Sequence, residues 1–131
     1  MGLLWLNCKW RRWNIYRHRL PKTLDIVAQN CQTENGDITA AQAALDAEIN
    51  DYIDWHIPSK DELKEMYNTI GNGGSEGNIG GFVVDGSPYW SSSEKYNPDI
   101  SAWALDFDFD YGVTGYSVKY RPQRVRVIRA F

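Results

Sequence analysis

Three acidic side chains alternate with large apolar ones in the last third of the chain, at Asp106, Asp108 and Asp110. If this stretch is a strand, its carboxylates lie on one face, because successive side chains leave a strand on opposite sides. Carboxylates that converge in this way can bind Ca²⁺. An EF-hand loop, however, needs glycine at its sixth position and glutamate at its twelfth, where this chain has Tyr111 and Ser117. The pattern excludes an EF-hand. A calcium site of another geometry stays open, and otherwise no metal or cofactor is expected.

Two further groups consist of residue types that hydrolytic enzymes use: the serine run from Ser91 to Ser93, and the pair Asp54 and His56. The serines lack the Gly-x-Ser-x-Gly turn that exposes a nucleophile. The chain has only two histidines that could serve as the base of a triad. Asp54 and His56 would share one face of a short strand, with no nucleophile beside them. The sequence therefore predicts a protein that is not an enzyme.

The stretch between Trp103 and Arg124 combines tyrosine and aspartate with glycine and serine. This mixture is typical of binding surfaces, because rigid amphipathic rings and small polar groups make adaptable contacts. The same residue types are equally ordinary on strand faces and in turns. Composition alone leaves both interpretations open, a ligand-binding surface and a sheet face without a partner.

Two helices are predicted ahead of this region. Thr39 begins a capping-box pattern that is followed by alanines at helical intervals, which favours a helix over 39–51. A second capping box, formed by Ser59 and Glu62, precedes an apolar face and a terminal glycine, which favours a helix over 59–70. The lysines of this second helix are expected only to solvate its outer face.

Short strands and one glycine-rich connection are predicted around these helices. Alternating or β-branched residues favour strands over 53–57 and 82–84, and a set of strands with short turns from Pro88 to the end of the chain. Six glycines lie between Gly71 and Gly81. A phosphate-binding loop would follow a strand and precede a helix, whereas here the helix comes first. We therefore expect a flexible connection and not a nucleotide site.

The charge of the chain is unevenly distributed. The 131 residues fit one domain and carry a net charge of −3. Residues 1–24 contain six basic residues, three tryptophans and no acid, so the remainder carries −9. A basic and aromatic segment can bind phosphate backbones or membrane surfaces. Because no groove-reading motif follows, we instead predict no nucleic-acid binding, an atypical or poorly ordered segment over 1–23, and one domain over 24–131.

Neither the cysteines nor the apolar runs place the protein in a compartment. Cys8 and Cys31 could pair in an oxidising environment, but two thiols without a local motif leave the question open. Neither cysteine has a partner at zinc-ligand spacing. No run approaches the ~18–20 apolar residues of a membrane span, so no transmembrane segment is predicted. The beginning of the chain lacks a readable signal peptide.

Six short motifs occur in order along the chain: WHIPSKDEL (55–63), MY (66–67), YWSSSE (89–94), AW (102–103), RVR (124–126) and RAF (129–131). Together they resemble bacterial and phage domains of the C-type lectin fold. That group includes the C-terminal domain of bacterial collagen-like adhesins and many variable proteins of diversity-generating retroelements. The resemblance covers about residues 24–131 and implies display on a cell surface, secretion or presence in a phage particle.

The resemblance implies an α+β domain of the C-type lectin-like fold, with two helices packed on a small twisted antiparallel sheet. It also implies that Trp90 and Trp103 are core anchors and that 124–131 is the closing strand. The C-terminal strands and loops would then form a face that binds a ligand, a protein or glycan on another cell or surface.

In the retroelement branch of the resemblance, adenine-directed mutation varies selected positions between fixed anchors. The domain would then be a non-enzymatic receptor-recognition domain that is diversified on its C-terminal face. The ligand contacts implied in this way are Tyr96, Asn97, Asp99, Ala104, Asp106, Asp108, Asp110, Tyr111, Thr114, Tyr116, Ser117, Tyr120 and Arg121.

A second function remains as an alternative, a bacterial adhesin module that binds carbohydrate or glycosaminoglycan. Polyanionic sugars would engage Arg121, Arg124 and Arg126, or the basic residues of 1–23. Binding of this kind should weaken steeply as salt is added, because it depends on charge.

Overall fold

The computed structural model describes residues 23–24, 27, 38–95, 101–107, 114–118 and 121–130. Two helices precede three strands in the described part of the chain, which makes the fold a small α+β arrangement. The elements are α1 (Ala40–Leu45), α2 (Lys60–Ile70), β1 (Tyr89–Glu94), β2 (Ser101–Leu105) and β3 (Thr114–Val118).

Helix α1 is shorter at its C-terminal end than the sequence predicts. Thr39 caps it as expected, since its hydroxyl accepts a hydrogen bond from the Gln42 backbone N–H at 3.2 Å. The chain then turns sharply between Ile49 and Tyr52, whose backbones pair with each other. The two residues between them have φ values of 53° and 65°, a conformation that asparagine and aspartate tolerate better than most residues. The helix has already ended at Leu45, and the turn shows that the chain does not continue as a helix to residue 51 as periodicity predicts.

Helix α2 is confirmed where the sequence predicts it. The Ser59 hydroxyl accepts from the Glu62 backbone N–H at 3.2 Å, and the Glu62 carboxylate accepts from the Ser59 N–H at 2.9 Å. Gly71 follows the last helical residue and donates its N–H to the Met66 carbonyl oxygen. The reciprocal cap satisfies two N–H groups that a helix start would otherwise leave unpaired.

The three strands form one antiparallel sheet in the order β1-β2-β3. Tyr89 pairs with Leu105 and Trp90 pairs with Ala104. Adjacent residues of a strand point to opposite faces, so Tyr89 and Trp90 enter two different cores. The core on one face includes residues of α1, and the core on the other face includes residues of α2.

The two cores differ in composition. The core under α1 combines small alanines with one large ring, whereas the core under α2 is mainly aromatic. The first consists of Ala40, Ala41, Ala44, Ile57, Trp90, Ala102 and Ala104, with Val27, Val125 and Val127 partly buried against it. The second consists of Leu63, Tyr67, Phe82, Tyr89, Leu105 and Phe107.

Thr23, the last residue of the predicted N-terminal segment, is part of the folded structure. It is fully buried, and its hydroxyl accepts a hydrogen bond from the Ile57 N–H at 3.3 Å. The rest of that segment lies outside the described residues, as do Cys8 and Cys31 and the question of their pairing.

Three predicted strands are wrong as continuous strands. Residues 53–57 contain one bridge, from His56 to Ile128, and 82–84 contain none among the described residues. The predicted closing strand is reduced to that bridge and a parallel one between Tyr89 and Arg124. Arg124 is nevertheless fixed against β1, because it exchanges backbone hydrogen bonds of 2.8 and 3.1 Å with Trp90 and Pro88.

The glycine-rich connection is compact. Gly80 donates its N–H to the last residue of α2, Ile70, at 2.7 Å. Asn78 and Phe82 exchange two hydrogen bonds of 2.7 and 3.0 Å. A Cβ at Gly74 would lie 2.3 Å from the Thr69 carbonyl oxygen, so the chain folds back closely onto the helix end. The glycines permit this close approach, which differs from the flexible connection that composition predicts.

Candidate functional site

One end of the α2-covered sheet face presents two aromatic rings. Trp103 on β2 and Tyr116 on β3 are cross-strand partners. Their rings meet edge to face, with centroids 6.5 Å apart and planes at 89°. Tyr116 is 59% exposed and Trp103 is half-buried. Trp103 therefore differs from Trp90, which is fully buried, and the prediction that both are core anchors is correct only for Trp90.

Two lysines flank these rings. The Lys60 ammonium lies 4.9 Å from the centroid of the Trp103 ring. The Lys95 ammonium lies 2.8 Å from the centroid of the Tyr116 ring. Ammonium groups over ring faces are stabilised by the ring quadrupole and keep N–H donors directed elsewhere. We call these four residues, Lys60, Lys95, Trp103 and Tyr116, the Tyr116 surface.

The Tyr116 surface lies at the N-terminal end of α2. The Ser59 cap begins α2 at Lys60, and the Lys60 backbone N–H donates to the Ser93 hydroxyl at 3.1 Å. The helix thus starts beside the end of β1. Further along α2, its buried residues pack on Tyr89 and Leu105. Trp103 and Tyr116 lie on the same sheet face but outside this core cluster. The lysine predicted to solvate the helix instead contacts a ring of the sheet.

Among the described residues, only part of the predicted contact set is found with exposed or partly exposed side chains on or next to β2 and β3. Tyr116 is exposed, Arg121 is exposed just after β3, and Asp106 is partly exposed just after β2. Ser117 lies on the opposite sheet face from Tyr116, where its hydroxyl accepts from Gln123 at 3.0 Å. Ala104 is 3% exposed in the core, so we leave it out of the contact set.

The remaining predicted contacts are not placed. Thr114 begins β3, but its side chain is not described. The others lie outside the described residues: Tyr96, Asn97, Asp99, Asp108, Asp110, Tyr111 and Tyr120. The proposed calcium ligands at Asp108 and Asp110 are among them. Within the described residues, no group of three or more histidine, cysteine, aspartate or glutamate side chains could hold a metal ion.

Three of the five residues considered for catalysis, Ser91, Ser92 and His56, lie in the interior, whereas Ser93 and Asp54 are partly exposed. The Ser91 hydroxyl is fully buried and donates to the Trp103 carbonyl oxygen at 2.7 Å. Ser92 is also fully buried, and His56 is 4% exposed with its backbone paired to Ile128. The His56 Nδ1 atom and the Ser92 hydroxyl have no hydrogen-bond partner in the described part of the chain.

The arginines of the last segment are engaged within the molecule. Arg124 forms a two-pronged ion pair with Asp85, with N···O distances of 2.7 and 2.8 Å. Arg126 lies 4.5 Å from the Phe82 ring centroid and donates to a backbone carbonyl. Arg129 pairs with Asp54 at 2.8 Å and also lies over a tyrosine ring. These contacts hold 121–130 against two connections, the one between α1 and α2 and the one between α2 and β1, in place of a regular strand ladder.

Both ion pairs make stability depend on pH. The hydrogen bond from Arg124 lowers the pKa of Asp85 below its ordinary value of 3.8, and the hydrogen bond from Arg129 does the same for Asp54. A carboxylate whose pKa is lower in the folded state contributes stability above its unfolded pKa and loses it as the pH falls through the folded pKa.

We therefore expect the melting temperature to fall as the pH is lowered past 3.8, and to fall less in the double variant Asp54→Asn and Asp85→Asn, which starts lower at neutral pH. Thermal unfolding followed by circular dichroism across this range measures the difference. The control is Asp51→Asn, at an exposed position in the turn after α1. Its melting temperature should fall with pH as steeply as that of the unmodified protein. If the melting temperature of the double variant fell as steeply with pH as that of the unmodified protein, the two ion pairs would not be the source of the pH dependence.

No helix among the described residues is long and apolar enough to cross a membrane.

Comparison with known proteins gives one result. The family model described as the Lcl C-terminal domain matches residues 1–129. The match includes the basic N-terminal residues that the sequence analysis separates from the domain. No curated protein and no solved structure matches the chain.

Proposed function

Because this chain belongs to the Lcl C-terminal domain family, we propose that it is a non-enzymatic ligand-binding domain with a C-type lectin-like fold, and that the Tyr116 surface is part of its recognition face. The family match supports the resemblance of the motifs between residues 24 and 131. The small α+β architecture, with one antiparallel sheet and two helices, is compatible with this fold.

The exposure of Tyr116 is the observation that carries the proposal. An isolated exposed tyrosine needs no explanation, but this ring is held edge to face against Trp103 and under the Lys95 ammonium. A ring fixed before binding loses little conformational freedom when a ligand covers it. Tyrosine and tryptophan are also the residues that most often dominate binding energy at interfaces.

The buried state of Ser91, Ser92 and His56 supports a role without catalysis. A nucleophile must reach its substrate, and a base must lie within hydrogen-bond reach of that nucleophile. Ser91 is instead used to bridge β1 and β2 through the Trp103 carbonyl oxygen. The Ser91 hydroxyl therefore contributes to the sheet.

Replacing Tyr116 by alanine is expected to weaken ligand binding by about tenfold or more, the loss typical of an aromatic hot spot. The melting temperature should change little, because the ring is mostly exposed. The probes are a displayed library of random peptides and a printed glycan array, each screened with the unmodified protein before the variants are compared on the binders found.

Tyr52→Ala is the matched control, because Tyr52 is 47% exposed and also carries a cation over its ring, but lies in the turn after α1. It should leave binding unchanged. Equal losses in both variants, or unfolding of the Tyr116 variant, would count against the Tyr116 surface as the recognition face.

We also propose that a retroelement diversifies this face. The support is the order of the motifs, in which fixed anchors surround the tyrosine- and aspartate-rich stretch 96–121. Deep sequencing of the gene in a population of its source should then show substitutions concentrated at adenine positions of that stretch. Trp90 and the residues of 124–131 should stay constant. Even variation along the gene would refute diversification without affecting the binding proposal.

The glycosaminoglycan alternative is less favoured by the arrangement of the arginines. Arg124 and Arg126 are engaged with Asp85 and Phe82, so Arg121 is the remaining exposed member of the three. Among the described residues near β3, a polyanion would contact Arg121, Lys60 and Lys95. Binding to the glycan array that disappears at moderate salt would support this alternative, because screening weakens exposed charge pairs.

A further inference from the structure

The sheet has one covered edge and one edge that no described residue covers. At the β1 edge, the Arg124 backbone exchanges hydrogen bonds with Trp90 and Pro88. At the other edge is β3, whose five residues all pair in regular register with β2. No described residue pairs with the outer side of β3. Every second backbone N–H and C=O group of such an edge strand points away from the sheet.

Strand β3 has none of the sequence features that protect an edge. Natural edge strands avoid further pairing through charged side chains, proline or bulges. The residues of β3 are Thr, Gly, Tyr, Ser and Val, which include no charge and no proline, and its register has no bulge.

The charged groups around β3 determine which strand would fit. Lys95 lies over the Tyr116 ring in the middle of β3. Arg121 is exposed at the C-terminal end, where its N–H donates to the Val118 carbonyl oxygen at 3.0 Å. Asp106 lies near the opposite end, next to the residue that pairs with Thr114. The half of β3 from Tyr116 to Val118 is therefore the basic half.

This distribution favours a foreign acidic strand over a second copy of the chain. An antiparallel pair of β3 strands centred on Tyr116 would bring the Lys95 side chains of both copies together, and like charges held close repel each other. An extended segment with acidic side chains would instead place carboxylates beside Lys95 and Arg121. Its apolar side chains could contact the rings of Tyr116 and Trp103.

We propose that the outer edge of β3 binds an extended acidic peptide segment of a partner protein by strand addition. Backbone hydrogen bonds to β3 supply part of the affinity, and the basic half of the strand with the Tyr116 ring supplies the preference for acidic and apolar side chains. This inference rests on the proposed ligand-binding function, because it uses the same face.

The test begins with a phage-displayed library of random peptides about twice as long as β3. Acidic sequences of β-forming residues should be enriched. One enriched peptide is then synthesised in two forms, N-methylated at alternate odd or alternate even positions. Only one of the two sets of N–H groups faces the sheet edge in an added strand. One form should lose about tenfold or more in affinity, while the other retains binding.

Charge reversal provides the second measurement. Lys95→Glu should abolish enrichment of acidic peptides, whereas the control Lys64→Glu should not, because Lys64 lies over the Tyr67 ring on α2. Melting temperatures of both variants show whether they remain folded. If Lys95→Glu leaves the acidic preference intact, the proposed charge recognition is overturned.

The remaining outcomes separate strand addition from the binding function itself. If both N-methylated forms bind equally and Tyr116→Ala weakens them, the face binds a ligand through side chains and strand addition is overturned. If glycans but no peptides bind, the peptide proposal is overturned while the binding function stands. If the protein forms a dimer through β3 in sedimentation experiments, a second copy is the occupant and the acidic peptide is excluded.

Discussion

Replacing Trp90 by alanine should lower the free energy of unfolding by about 3–5 kcal/mol, the usual cost of removing a buried tryptophan. Trp90 is fully buried and is the large ring in a core otherwise built from alanines and Ile57. The small side chains of α1 cannot move in far enough to fill the space without disturbing the helix. Single domains are stable by only about 5–15 kcal/mol, so this variant should be severely destabilised.

Urea denaturation followed by circular dichroism measures the effect. The matched control is Trp103→Ala, which should cost about 1–2 kcal/mol because the ring is only partly removed from water. The same control removes the support of Tyr116 and should weaken ligand binding. Comparable destabilisation by the two variants would mean that Trp103 is also a core anchor, as the resemblance alone implies.

Replacing Phe107 by alanine should also lower the free energy of unfolding by about 3–5 kcal/mol. This residue lies in the second core, on the other face of the sheet. Phe107 is fully buried at the centre of an aromatic group. Its ring stacks on Phe82 at a centroid distance of 3.9 Å and meets the edges of Tyr67 at 5.8 Å and Tyr89 at 5.2 Å. Such pairs contribute beyond the apolar area they bury.

The Phe107→Leu variant distinguishes the stability lost with side-chain volume from the stability lost with aromatic contacts, because leucine keeps most of the buried volume. It should cost about 1–2 kcal/mol, since the cavity is small but the aromatic contacts are lost. Urea denaturation of both variants gives the comparison. A Phe107→Ala variant as stable as the unmodified protein would show that this residue is not in the core, and that the chain after β2 runs elsewhere.

The two cores have a consequence for binding. Among the described residues, both faces of the sheet contribute to a core, whereas Tyr116 of β3 is mostly exposed and lies outside both core clusters. Variation of Tyr116 is then compatible with an unchanged interior, whereas variation of Ala104 is not. A face that tolerates substitution on a rigid scaffold is what a recognition domain needs.

Local patterns in the sequence predicted the helix ends that are fixed by hydrogen bonds between residues close together in the chain. The capping box of Ser59 and Glu62 fixes the start of α2, and the glycine after it fixes the end, so the predicted and observed helices agree. The same holds for the start of α1 at Thr39. Burial of Trp90 agrees with the core role that the resemblance implies. Leu105 and Phe107 are buried on either side of the partly exposed Asp106, as the alternation predicts, although β2 ends at Leu105.

The sequence by itself thus determined the start of both helices and the presence of strands after Pro88, and it placed the exposed Tyr116 among the implied ligand contacts. The tertiary structure alone decided the rest. The segment 124–131 is predicted as a strand, yet Arg124 and Arg129 are held by Asp85 and Asp54, which lie 39 and 75 residues earlier. Lys60 looks like a solvated helix residue, yet the fold places it over Trp103. Contacts between residues so far apart in the chain depend on how the elements pack, and the period of a single segment contains no information about them.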